Sequence, residues 1–170
     1  KELESIGANF NAFTSKEYTG YYAKASASKL DTLTDVIFDI FLNSRLDAKE
    51  IEVEKGVIIE EINMYRDDPP RYVNDLFEKL LYGDQPAGWE IAGEKATVTS
   101  LKREQFVEYF NTHYVAPNTV IAVAGNVDPD YVKEKTEEYF KNIRQAPKVT
   151  KLPVNENQLS PQSILHYKKT

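Results

Sequence analysis

The spacing of the hydrophobic residues changes at Ser28, and this change restricts the chain to folds that combine a sheet with helices. Before Ser28, the segments Asn9–Thr14 and Tyr18–Ala25 are rich in aromatic residues and threonine, and a short polar turn separates them. This pattern predicts a β-hairpin. From Ser28 to about Ser44 the apolar residues recur every 3.6 positions, which predicts an amphipathic helix. The expected fold class is therefore α+β.

Signals for helix ends indicate two more helices after this one. Asp47, followed three residues later by Glu50, has the pattern of a helix N-terminus, and the predicted helix runs to about Tyr65. The prolines at 69 and 70 cannot continue that helix but suit the first turn of another, which ends near Gly83. Helices therefore account for most of residues 28–83.

The following residues are expected to alternate between irregular and regular structure. Residues 84–99 predict a loop in which Trp89 packs onto the core, and Ser100 predicts the start of a helix through His113. The continuous apolar segment Thr119–Gly125 is typical of a strand covered on both faces. Asp128 and the proline after it predict a last helix, ending near residue 143.

Composition excludes some classes of function. With 27 acidic and 21 basic residues the formal charge is -6, which opposes binding to a phosphate backbone, so we expect no nucleic-acid partner. No apolar segment is long enough for a membrane span, and no signal peptide is visible. The absence of cysteine excludes disulfides and thiolate ligands but leaves the compartment open. A cytoplasmic location is the default expectation.

Two glutamates stand out on the helix that Asp47 begins. Glu54 and Glu61 are seven residues apart, so their side chains project from nearly the same line on the helix surface. One carboxylate could bind a metal ion while the other supports the site. Periodicity alone favours ordinary solvated glutamates. The only histidines, His113 and His166, are too far apart in sequence to form a pair four residues apart on one helix.

Several phrases together resemble one enzyme family. Residues 11–19 (NAFTSKEYT), 54–62 (EKGVIIEEI), 114–118 (YVAPN) and 123–127 (VAGNV) match in content and spacing the pitrilysin or insulinase-like zinc metallopeptidases. These enzymes are inverted zincins and include processing proteases. The resemblance covers roughly residues 1–143, and several separated motifs in the right order make it specific.

The resemblance implies a metal site that this chain supplies only in part. In the family an H-x-x-E-H helix provides two histidine ligands and the general base, and a later glutamate completes the zinc site. That later glutamate matches Glu61, and Glu54 matches a supporting glutamate. No H-x-x-E-H occurs in the chain, because in the family it precedes the phrase that opens this sequence. The chain alone is therefore expected to be inactive, and its parent protein to be a zinc-dependent endopeptidase that uses metal-activated water.

The resemblance also implies a substrate-binding edge. In the family an extended peptide adds as a strand along the positions that match Asn11, Ala12 and Phe13. The same residues also fit an ordinary hairpin strand, and such a strand could still bind a peptide along its edge.

The expected domain organisation follows the family as well. Residues 1–144 would form the greater part of an N-terminal metallopeptidase domain that lacks its first strands and zinc-binding helix. Its antiparallel or mixed sheet would carry helices on one face. Residues 145–170 would be a linker and the start of a second, homologous domain or subunit that helps to enclose a chamber.

The alternative function is a non-catalytic substrate-binding or structural partner subunit of the same fold, although the presence of both Glu54 and Glu61 argues against it. A plain interaction module would leave the motif matches unexplained.

Overall fold

The computed structural model describes residues 1–156 and 158–167 and has the expected α+β composition. The chain divides into two compact units. The first unit contains Lys1–Leu46 and Glu104–Val149, and the second contains Asp47–Arg103 with the described part of 150–170. In the described part of the chain the α-helices are α1 (Glu2–Ser5), α2 (Leu30–Leu42), α3 (Ala48–Asp67), α4 (Pro69–Tyr82), α5 (Lys95–Ser100), α6 (Arg103–His113) and α7 (Pro129–Phe140).

The predicted hairpin is confirmed. Strands β1 (Asn9–Thr14) and β2 (Thr19–Lys24) pair antiparallel, with Asn9 opposite Lys24 and Thr14 opposite Thr19. Ser15 stabilises the turn, because its Oγ accepts hydrogen bonds from the backbone amides of residues 17 and 18 at 3.3 and 3.1 Å. Among the described residues these two strands form the whole sheet.

Helix α2 and helix α7 pack against each other in the first unit. Phe38 of α2 is buried and packs edge to face against Phe140 of α7, with ring centroids 4.9 Å apart. Tyr139 Oη donates a hydrogen bond to a carboxylate oxygen of Asp35 at 2.6 Å, so a polar contact accompanies the aromatic one. Helix α7 begins as predicted, since Asp128 Oδ1 accepts hydrogen bonds from the amides of residues 130 and 131.

The second unit is built around α3. Asp47 caps this helix as predicted, with its Oδ1 2.9 Å from the amide of Lys49, and Pro69 begins α4. Helix α3 buries one face through Ile51, Lys55 and Ile62. Lys55 is the sole buried lysine among the described residues, and it forms an ion pair in which its Nζ lies 2.6 Å from a carboxylate oxygen of Glu52.

Four predictions of local structure differ from the structure. Thr119–Gly125 is not a strand, because no described segment pairs with it, and Val120 is 92% exposed. Residues 84–99 are less irregular than expected, since α5 begins at Lys95, and the helix predicted from Ser100 begins instead at Arg103. Trp89 is 55% exposed instead of packed in the core, and its indole N–H donates to Asp84 within the same loop at 2.9 Å.

The last described residues form no helix or strand over 145–156 and 158–167. Gln85 holds part of this segment in the second unit, because its side-chain amide exchanges two hydrogen bonds with the backbone of Asn155 at 2.9 and 3.0 Å. The predicted start of a second domain includes Asn157 and residues 168–170, which lie outside the described residues. No helix in the described ranges has the length and apolarity to cross a bilayer.

Candidate metal centre and peptide-binding edge

Glu54 and Glu61 both lie on the exposed side of α3, away from its buried face. Seven residues at 100° each bring the two positions to within about 20° of each other around the helix axis. Along the axis they are about 10 Å apart, at 1.5 Å per residue. The structure therefore places the two predicted residues on one face, two helical turns apart.

Neither carboxylate has a hydrogen bond or an ion pair with another residue in the described part of the chain. Glu52 on the same helix shows the contrast, because it pairs with Lys55. A carboxylate without a protein partner keeps both oxygens available for a cation.

Apolar residues share the exposed face of α3 with the glutamates. Val53, Val57 and Met64 are 62%, 50% and 57% exposed, and Val57 and Met64 lie one turn before and one turn after Glu61. An ordinary solvated helix face is polar, so three exposed apolar side chains favour a face that is covered in the working protein. Sequence reasoning passed over these residues, although their spacing relative to Glu61 is visible in the sequence.

The described residues supply only part of a zinc site. They contain no group of three or more His, Asp or Glu side chains that could hold a metal ion. Oxygens bound to one zinc ion lie within about 4 Å of each other, whereas the backbones of Glu54 and Glu61 are two helical turns apart. Each glutamate offers a carboxylate oxygen, and the described residues do not complete a ligand set around either of them.

The histidines have other contacts. His113 ends α6 and its ring stacks on that of Tyr109 at 4.2 Å. His166 packs edge to face against Tyr72 at 5.2 Å. Each histidine ring therefore has an aromatic neighbour.

Strand β1 presents a free edge in the first unit. All six of its residues are exposed, and β2 is its one pairing partner among the residues described. The side-chain oxygen of Asn11 accepts a hydrogen bond from the amide of Ala12 at 2.8 Å. An incoming peptide carbonyl would compete with that oxygen for the amide.

Phe13 lies over Gly20, its partner in the hairpin register. A Cβ atom added at Gly20 would collide with Cζ of Phe13, so only glycine allows the ring this position. The rings of Tyr18 and Tyr22 flank Phe13 with centroids 5.9 and 6.4 Å away. Asn11, Ala12 and Phe13 thus form one continuous exposed segment whose aromatic side chain is fixed by its neighbours.

An aromatic cluster holds this hairpin in the first unit. The hydroxyls of Tyr21 on β2 and Tyr114 after α6 are hydrogen bonded at 2.9 Å, and the ring of Phe41 lies 5.1 Å from that of Tyr114. Burial, followed by the hydrogen bond with Tyr21, raises the pKa of Tyr114 well above its usual value. Arg144 adds to the cluster, because its Nε donates to the Tyr114 carbonyl at 3.1 Å and its guanidinium covers the ring of Phe110. The hairpin therefore rests on side chains far away in sequence.

The family is established by sequence comparison. A family profile described as Insulinase (Peptidase family M16) matches residues 1–95, more than half of the chain, and a second, described as Peptidase M16 inactive domain, matches residues 100–170. The chain belongs to the insulinase-like peptidase family M16.

Individual relatives agree with this assignment. The uncharacterized zinc protease YmxG of Bacillus subtilis is 38% identical over 152 residues, which are 89% of this chain and 37% of that protein. The mitochondrial-processing peptidase subunit beta of Caenorhabditis elegans is 37% identical over 143 residues, covering 84% of this chain and 31% of its own. A protease from Helicobacter pylori has the same fold, with a TM-score of 0.81 at 21% identity over 91% of this chain and 38% of its own. The chain spans about a third of the length of these relatives.

Proposed function

We propose that the parent protein is a zinc-dependent endopeptidase in which Glu61 is a zinc ligand and Glu54 supports the site. The observation that carries the proposal is the exposed, unpartnered carboxylate of Glu61 on α3, within the segment that matches the insulinase family. The name of the Bacillus subtilis relative, a zinc protease, supports the choice of metal.

The chain's own residues would contribute binding and orientation. Glu61 supplies one negatively charged oxygen ligand, and Glu54 adds a second negative charge that favours a cation and helps to orient the site. The backbone of Asn11, Ala12 and Phe13 holds an extended peptide as an added strand, which gives affinity with little selectivity for side chains. If zinc were bound there, it would supply a water of lowered pKa and polarisation of the peptide carbonyl, while Glu61 would hold the ion.

The proposal extends to the organisation of the parent. Residues 1–144 form the greater part of a metallopeptidase domain, and residues 145–170 lead into a second domain. The two histidine ligands and the general base come from an H-x-x-E-H helix outside this sequence, so the 170 residues alone do not hydrolyse peptides. A homologous second domain or subunit encloses the substrate in a chamber.

A comparison of adjacent glutamates in the full-length protein tests the ligand. Glu61→Gln removes a charged oxygen ligand, whereas Glu60→Gln makes the same chemical change at an exposed position about 100° away around the helix. We expect zinc content to fall in the first variant and to remain at the wild-type level in the second. Equal zinc content in both variants would show that Glu61 is not a zinc ligand.

The supporting role of Glu54 predicts a graded effect. Substitution of residues that orient ligands usually costs about 10- to 100-fold in metal affinity or activity. Glu54→Gln should therefore keep zinc at saturating concentration but lose it to a competing chelator earlier than wild type. Complete loss of zinc from this variant would instead make Glu54 a direct ligand.

The alternative is a non-catalytic partner subunit of the same fold. It is favoured by the match of residues 100–170 to a profile described as Peptidase M16 inactive domain. Zinc analysis of the full-length protein, together with hydrolysis of a quenched fluorescent peptide, distinguishes the two. A protein that neither binds zinc nor hydrolyses the peptide would support the partner subunit.

A further inference from the structure

Arg71, in the first turn of α4, places its guanidinium group over the ring of Tyr65 in the last turn of α3. Its Cζ atom lies 3.3 Å from the centroid of that ring. Tyr65 follows Glu61 by four residues, which is about 6 Å along the helix and about 40° around it. The cation therefore lies on the side of α3 that carries the candidate zinc ligand, about one turn away from it.

The side chain of Arg71 is exposed and has no acceptor for its N–H groups. Apart from the ring contact, it forms no hydrogen bond or ion pair in the part of the chain that the structure describes. Asp75, one turn later on α4, is spaced for an ion pair with Arg71, but the two do not pair. Arg66 shows the contrast, because it lies 3.4 Å from a carboxylate oxygen of Glu90.

The contact with Tyr65 leaves the guanidinium able to bind an anion. At 3.3 Å the group must lie flat on the ring, since a nitrogen directed at the ring would be closer than van der Waals contact allows. Stacking uses the flat face of the group, whereas its five N–H donors point outward in its plane and match a carboxylate bidentately. The ring also restricts the side chain, so less conformational freedom is lost when a carboxylate binds.

The electrostatic setting of Arg71 also favours a role in binding. The N-terminal end of a helix is partially positive, so an arginine in the first turn of α4 does not stabilise that helix. Exposed carboxylates of Glu60, Asp67 and Asp68 make the wider surroundings negative. Arg71 is thus a local positive charge within a negative surface, and without it the same surface would attract a basic peptide.

We propose that Arg71 determines substrate specificity by binding the carboxylate of an aspartate or glutamate side chain in the peptide. This inference rests on the proposed function, in which Glu61 marks the place of cleavage. By helix geometry the guanidinium lies within about 10 Å of Glu61, and an extended peptide advances about 3.3 Å per residue. The acidic residue therefore lies within about three residues of the bond that is cut, and the substrates are acidic peptides.

A matched set of quenched fluorescent peptides, used with the full-length protein, tests this specificity. The peptides carry a C-terminal amide and differ only in having Glu, Gln or Lys at one position within three residues of the cleaved bond. At one of these positions we expect kcat/KM to be about tenfold higher for Glu than for Gln, as for one hydrogen bond between charged groups. Equal values for Glu and Gln at every position would overturn the proposal.

Substitutions of Arg71 separate recognition from a structural role. Arg71→Ala should abolish the preference for Glu, and Arg71→Glu should reverse it in favour of Lys, because the surrounding carboxylates are then unopposed. Lys49→Glu makes the same charge change at an exposed position on α3, about 18 Å before Glu61 along the helix, and should keep the wild-type preference. An equal loss of kcat/KM for all three peptides in Arg71→Ala would show that the residue only supports the structure, and would overturn the proposal.

A free C-terminus is a second source of a carboxylate. The Gln peptide is therefore also measured with a free C-terminus in place of the amide, and we expect no gain in kcat/KM from it. A gain from the free C-terminus without a gain from Glu would assign Arg71 to the peptide end and overturn the proposed side-chain specificity.

Peptide binding without hydrolysis separates this proposal from the proposed function. Fluorescence anisotropy with labelled Glu and Gln peptides, in the presence of a chelator, should give a Kd about tenfold lower for Glu with wild type and equal values with Arg71→Ala. A protein without zinc or hydrolysis that still shows this difference would contradict the peptidase and support the role of Arg71. Equal affinities in wild type would contradict the role of Arg71, whether or not the peptides are cut.

Discussion

The hydrogen bond between Tyr21 and Tyr114 makes a quantitative prediction about how the hairpin is held. Tyr114→Phe removes one hydroxyl of a 2.9 Å bond and leaves the ring contacts with Phe41 and Phe110 in place. A net protein hydrogen bond contributes about 0.5 to 1.5 kcal/mol, so the variant should lose about 1 kcal/mol of unfolding free energy. Because Tyr21→Phe removes the same bond, the double variant should lose little more than either single variant.

The raised pKa of Tyr114 adds a dependence on pH. The folded protein holds this proton more tightly than the unfolded chain, whose tyrosines titrate near pH 10. The contribution of this proton to the free energy of unfolding is therefore complete below pH 10. It is lost as the pH rises above 10, by at most about 1.4 kcal/mol per pH unit. Tyr131 and Tyr139 also have raised pKa values through their hydrogen bonds to Asp31 and Asp35. Both tyrosines are present in wild type and in the Tyr114 and Tyr21 variants, so their effect cancels when these proteins are compared.

Urea unfolding of the full-length protein, followed by far-UV circular dichroism between pH 7 and pH 11, measures both effects. Wild type should lose stability above pH 10 more steeply than Tyr114→Phe, and the two should differ by about 1 kcal/mol at pH 7. Additive losses in the double variant, or identical slopes above pH 10, would refute the assigned bond and its role.

Three further substitutions test local features of the structure. Asp47→Ala should cost about 1 kcal/mol of stability in thermal unfolding because it removes the cap of α3, whereas Asp47→Asn should be nearly neutral; an equal loss in both would contradict the cap. Gly20→Ala should displace the ring of Phe13 and raise KM for an extended peptide by about threefold or more, at about 0.7 kcal/mol per threefold change. Gly56→Ala, where an added Cβ meets nothing within 4 Å, should leave KM unchanged. Ala12→Pro removes a backbone donor from β1 and should weaken peptide binding by about tenfold, while binding equal to that of Ala12→Ser would exclude this edge as the substrate site.

Local sequence signals predicted the elements whose causes are local. The caps at Asp47 and Asp128 and the prolines that follow the helix breaks lie where expected, because each depends on contacts within a few residues. The hairpin was also predicted correctly, since a short turn at Ser15 joins its two strands directly.

Features that depend on residues far apart in the sequence could not be predicted from local patterns. The composition of Thr119–Gly125 indicates burial but not which strand would cover it, so the predicted strand is absent where no described residue pairs with it. The bond from Tyr21 to Tyr114 joins residues 93 positions apart, and no local pattern identifies such a pair. For the candidate site, sequence spacing placed Glu54 and Glu61 on one exposed helix face, but the exposure of Val57 and Met64 beside Glu61 required the structure.

The position of the metal itself is the most direct test of the proposed function. A crystal structure of the full-length protein, with anomalous data collected at the zinc absorption edge, locates the ion independently of any model of its ligands. We predict an anomalous peak about 2.0 to 2.2 Å from a carboxylate oxygen of Glu61, with Glu54 nearby but not bound to the ion. A zinc peak bonded to Glu60, or one without contact to α3, would contradict the assignment.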